Sequence, residues 1–152
     1  MSSDLRADGS EGHEANDVVS IQTLAKEALR KKFVAATGVE PDTKGYVRLP
    51  QENLVPGLDF DSIQNDLVGG DGNELGTGKF RAVHSSCALA VNSFGPFKTN
   101  PENLTLLGKQ GASRLEFEHP LPIFRGGTPP NLDVWIEREG EVLAWSPSCW
   151  SI

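Results

Sequence analysis

At 152 residues the chain has room for one domain or part of one. Its net charge of −7 excludes a protein that coats nucleic acid through a broadly basic surface. A nuclease stays open, because local basic patches and bound metal ions offset a global negative charge. Hydrophobic content of 38% is low for a well-filled core. The two cysteines, Cys87 and Cys149, are too few and too far apart for a metal-cluster motif. No stretch reads as a signal peptide or approaches the length of a membrane span, so a cytoplasmic protein without membrane contact is expected.

Residues 1–16 are acidic, rich in Gly and Ser and nearly free of apolar side chains, and are expected to be a disordered tail. Asp17 then reads as the cap of a helix running to about Thr37, with Gly38 as its stop. Val18, Ile21, Leu24, Ala25, Ala28, Leu29 and Phe33 recur at helical spacing and predict one apolar face toward a core. The cluster Arg30-Lys31-Lys32 is expected to face solvent. Residues 38–73 are punctuated by Pro and Gly, with a short helix predicted around 59–67 that places Phe60, Ile63 and Leu67 together.

Gly69-Gly70-Asp71-Gly72 lacks the Gly-Lys-Ser/Thr ending and the preceding strand of a phosphate-binding loop. It leaves Glu74 at the entry of the next predicted helix, about 79–93. Phe80, Val83, Cys87, Ala90, Val91 and Phe94 form the apolar side of that helix. His84 beside Cys87 invites a cysteine-hydrolase reading, but residues three apart on a helix do not by themselves assemble a nucleophile with its base.

Leu104–Leu107 reads as a short strand or turn. Residues 114–121 alternate, with Leu115 and Phe117 on one face and Glu116 and Glu118 on the other, as a half-buried strand would. Gly126 to Pro130 turns the chain into a strand at 131–137, in which Asp133 points opposite to Leu132, Val134 and Ile136. Glu139-Gly140-Glu141 is a turn and 142–144 opens a further strand. Trp145-Ser146-Pro147-Ser148 breaks it, because proline has no N–H for the ladder.

The genetic code supplies a reason for that break. Trp-Ser-Pro-Ser can be written TGG AGT CCA AGT, and one base earlier the same letters read xTG GAG TCC AAG, or Val (Leu, Met)-Glu-Ser-Lys. In that frame Glu falls at position 146 and Lys at 148, on the same face of a strand that follows the Asp133 strand. Carboxylates so placed hold a hard cation, and a lysine neutralises developing charge or helps to activate water.

An Asp133 strand, a turn and then Glu-x-Lys resembles the core of the PD-(D/E)XK nuclease superfamily. The segments GYVRLPQENLVPGL, GDGNEL, KFRAVHSSCALAVNSFGPFK, LEFE and PPNLDVWIE, in order over about residues 45–144, resemble its restriction-endonuclease group. The resemblance implies an α/β fold, with α+β as the alternative: N-terminal helices followed by an incomplete nuclease sheet. It also implies Mg²⁺ as cofactor and DNA as partner. Asp133 would then be the motif aspartate and a metal ligand, Glu74 an acid from the helical side, and Glu118 or Glu116 a further acid on the first core strand. Ser146 and Ser148 stand where the motif needs Glu and Lys, so catalysis by this chain is not expected.

On this reading residues 17–144 are a partial nuclease-like domain and 145–152 a non-native tail produced by a frameshift. The strand edge left at 142–144 is expected to promote self-association. The rival from another class is a non-catalytic interaction or DNA-binding module.

Overall fold

The structure is a computed structural model that describes residues 20–69, 73–121 and 131–146. The expected tail at 1–16, Asp17, the Gly70–Gly72 run, the turn at 126–130 and residues from Pro147 onward lie outside these. Among the described residues are three α-helices, α1 (Ile21–Thr37), α2 (Phe60–Gly69) and α3 (Ser86–Phe94), and three strands, β1 (Ala112–Pro120), β2 (Asn131–Arg138) and β3 (Glu141–Trp145). The strands form one antiparallel sheet in the order β1-β2-β3. The architecture is therefore mixed α+β rather than a parallel α/β fold.

The core lies between the helices and one face of the sheet. Ile63 and Leu67 of α2 and Cys87, Ala88, Ala90 and Val91 of α3 pack with Leu115, Phe117, Val134 and Ile136, and Phe80 is sealed among them. The opposite face is polar and aromatic. There Glu116 accepts from Arg114 Nε at 2.9 Å, His119 stacks on Trp135 with centroids 4.3 Å apart, and Trp135 Nε1 donates to Glu137. The β2–β3 hairpin closes on a two-residue turn, where Gly140 takes φ 72° between the paired Arg138 and Glu141.

The outer edge of β1 is covered by side chains. Asp66 accepts from the Phe117 N–H at 2.9 Å, and Lys98 donates to the Leu115 carbonyl at 2.8 Å. The two side chains bind each other at 2.6 Å, largely sheltered from water, so the edge that meets α2 has no free ladder groups at these residues.

Two sequence expectations are corrected. The helix predicted over 79–93 is interrupted: a 3-10 turn (Lys79–Arg81) is followed by the bridge residue Ala82 and a turn at Val83–His84, and α3 begins only at Ser86. The cause is Asn53, buried in the preceding segment, whose Nδ2 donates to the carbonyls of Phe80 and Ala82 at 2.7 and 2.9 Å. Those carbonyls are thereby withdrawn from a helical ladder. The Val83 N–H and Arg81 carbonyl are taken by Gly45 and Val47 across a short antiparallel bridge. Ser85 then caps α3 by accepting from the Ala88 N–H at 3.1 Å.

The second correction concerns α1. Ser20 caps it and Gly38 ends it in the left-handed conformation, with the Gly38 N–H on the Val34 carbonyl. None of its residues is buried, and Ile21, Leu24 and Leu29 are 85%, 55% and 47% exposed. The helix leans on the body through its other side. Arg30 reaches Glu40 at 3.4 Å, and Phe33 and Val34 are half-buried. The apolar face predicted for the core thus points outward.

Candidate functional site

In the β1–β2 ladder Phe117 is partnered with Val134 and His119 with Leu132, so Glu118 and Asp133 share the rung between them. In the β2–β3 ladder Val134 is partnered with Trp145, and the next step brings Ser146 beside Asp133. Ser146 Oγ donates to Asp133 Oδ2 at 2.7 Å. One rung therefore carries Glu118, Asp133 and Ser146 across three strands, and all three are less than a tenth exposed.

Glu118 reaches this buried position through its backbone. Regular alternation would send its side chain to the outer face with Glu116. Instead its φ is +50°, a left-handed conformation that costs a non-glycine residue about 1 kcal/mol or more. Phe117 and Glu118 are in consequence both buried, and His119 falls back toward Glu116, with Nδ1 2.7 Å from its carboxylate. Glu116 and Glu118 do not share a face: Glu116 belongs to the outer cluster and Glu118 to the rung.

Two donors reach the Glu118 carboxylate. Asn131 Nδ2 donates to it at 3.3 Å, and the Cys87 thiol from α3 hydrogen-bonds to it. Burial first, then the charges of Asp133 and Glu74, hold its carboxyl above the usual range, while the Cys87 and Asn131 hydrogen bonds pull the other way. Glu74 approaches from the turn before the Lys79–Arg81 segment. Its carboxyl is also raised, by burial above all and by the charge of Asp133, with Lys79 opposing.

The residues predicted from sequence, Asp133, Glu118 and Glu74, are thus brought into one electrostatic neighbourhood from three separate segments. Sequence reasoning missed Cys87 as their neighbour and Asn131 as a donor. Cys87 was legible only as a buried thiol, since nothing local couples α3 to the far end of β1.

The donor chemistry suits a hard cation in part. Carboxylate oxygens are the right type, and a divalent ion would relieve their mutual repulsion. The geometry falls short. Among the described residues, no three His, Cys, Asp or Glu side chains stand close enough to hold one metal ion together.

The cysteine-hydrolase reading loses its geometry. Cys87 is 2% exposed, and burial followed by Glu118 pushes its thiol far up, away from the nucleophilic thiolate. His84 lies before the α3 cap, against the edge of Tyr46 at 6.4 Å between ring centroids. Its imidazole is lowered by burial and by Lys26. An apolar groove of about 490 Å³ beside β3, lined by Leu89, Phe94, Leu106, Val134, Leu143 and Trp145 among others, includes none of the three carboxylates. Among the described residues no helix is long and apolar enough to cross a membrane.

Comparison with known proteins finds no matching family model, no matching curated protein and no matching solved structure.

Proposed function

We propose that this chain carries one half of a metal-dependent DNA endonuclease site of the PD-(D/E)XK kind, with Asp133 as the motif aspartate, and that it does not itself cleave DNA. The observation that supports the reading is the 2.7 Å hydrogen bond from Ser146 to Asp133. Position 146 is where the shifted reading frame places Glu. A glutamate there would set its carboxylate against that of Asp133, with Glu118 on the other side of the same rung.

Mg²⁺, when bound to a complete set, would polarise a phosphodiester and supply an activated water. In this chain Asp133 and Glu118 would be its oxygen donors, and Glu74 a third acid at the margin. Serine at 146 and 148 offers neither the second strand's carboxylate nor a cation, so the hard ion lacks ligands and the developing charge lacks its lysine.

Incubating supercoiled plasmid with Mg²⁺ or Mn²⁺ tests this. The unaltered chain is expected to leave the plasmid intact. The variant Trp145→Val/Ser146→Glu/Pro147→Ser/Ser148→Lys is expected to nick it, and Asp133→Ala in that background to abolish the nicking. Metal-dependent nicking by the unaltered chain, lost on Asp133→Ala, overturns the claim of a missing half. A folded four-site variant that never nicks overturns the nuclease reading.

A further inference from the structure

The face that α1 turns to the body holds the clearest unused feature of the molecule. Thr23, Lys26, Glu27 and Arg30 recur at i, i+3, i+4 and i+7, so they lie in one polar stripe along the helix. That stripe forms one wall of a cleft of about 270 Å³. The other wall is the turn Thr43-Lys44-Gly45 together with Val83 and His84. Hydrogen bonds hold this second wall in place. Asp42 accepts from the Lys44 and Tyr46 N–H groups at 2.9 and 2.8 Å, and the Val83 N–H donates to the Gly45 carbonyl at 2.9 Å.

The charges in the cleft do not balance, although the chain as a whole is acidic. Lys26, Arg30 and Lys44 line it against the single carboxylate of Glu27, and that carboxylate is bound to Lys31 at 3.3 Å. Asp42 turns its carboxylate to the backbone of its own turn. Lys26 and Lys44 have no ion pair among the described residues. Arg30 meets Glu40 only at 3.4 Å, and its Nε, closed to water, has no hydrogen-bond partner among the described residues. Burial, and then the charge of Lys26, hold the half-buried His84 imidazole below its usual range, so the two groups interact across the cleft.

We propose that this cleft binds a small phosphate monoester, with Lys26 and Lys44 as opposed cations, Arg30 as a planar donor and His84 at the floor. Unpaired cations gathered on two fixed walls repel one another, and an oxyanion between them removes that repulsion. The excess of positive charge matches a monoester, which carries close to two negative charges at neutral pH, better than a diester, which carries one. The volume takes a phosphoryl group with a small organic remainder. The inference does not depend on the nuclease reading, since Asp133, Glu118 and Glu74 are not among the residues that line this cleft.

NMR titration of inorganic phosphate into the full chain at constant ionic strength tests it. The His84 ring resonances are expected to shift and saturate, while those of His119, on the sheet, stay unchanged. Phenyl phosphate, which keeps the dianion and adds an organic group, should displace the phosphate. Lys26→Gln/Lys44→Gln should weaken phosphate binding by at least about tenfold, and Lys32→Gln, outside the cleft, should leave it as it was. All three lysines are exposed, so circular dichroism and melting temperature should match the parent. A His84 signal in the unaltered chain that ignores phosphate overturns the proposal, however the variants behave. So does an equal loss in Lys32→Gln, a failure of phenyl phosphate to compete, or displacement by an oligonucleotide without terminal phosphates, which would make the cleft a reader of diesters.

Discussion

Glu118 sits in a left-handed backbone conformation, buried, beside two other carboxylates. Its folded-state carboxyl titrates above its ordinary value of 4.5, so between those two values the folded chain holds a proton that the unfolded chain has released. Stability linked to Glu118 is fully present below the ordinary value and is lost as pH rises through the raised one. Glu118→Gln keeps an acceptor for Asn131 and Cys87 and removes the charge. The variant's melting temperature should therefore gain on the parent's as pH rises from 4.5 toward neutrality. A variant whose advantage shrinks over that range would contradict the sign. This residue also marks a limit of sequence reading. Alternation placed Glu116 and Glu118 together, and only the tertiary setting around Cys87 and Asn131 turns Glu118 inward.

At the scale of elements, Asn53 decides where α3 starts. Its amide holds the Phe80 and Ala82 carbonyls, and its own backbone carbonyl accepts from Asn92 Nδ2 at 2.8 Å, which ties α3 back to the same segment. Asn53→Ala leaves two carbonyls without their donor and should cost about 2–4 kcal/mol in urea unfolding, with little change in the denaturant slope. A loss below about 0.5 kcal/mol would mean that the helix break has another cause. The strands were largely legible: the expected 114–121, 131–137 and 142–144 correspond to Ala112–Pro120, Asn131–Arg138 and Glu141–Trp145. Period-two patterning and the Glu139-Gly140 turn are local signals. The break before α3 was not legible, because its cause lies 27 residues upstream of Phe80. Trp145 pairs with Val134 in the ladder, one residue beyond the strand expected at 142–144.

At the scale of the molecule, the described residues form one sheet covered by helices on one face, and its two edges differ in kind. Asp66 and Lys98 close the β1 edge, while β3 has no partner strand on its outer side among the described residues and exposes Val142 and Trp145. The helix α1 stands outside the core altogether. Asp133, Glu118 and Glu74 were expected as a set from the resemblance rather than from periodicity; in the structure the charges of Asp133 and Glu74 help to raise the Glu118 carboxyl. The central claim is that position 146 is the vacant place in that set. Calorimetric titration of Mn²⁺ into the unaltered chain, Ser146→Glu and Ser146→Glu/Asp133→Ala tests it most directly. The account predicts weak binding by the unaltered chain, at least about tenfold tighter binding by Ser146→Glu, and loss of that gain in the double variant. A folded Ser146→Glu protein that binds Mn²⁺ no better than the unaltered chain would contradict it.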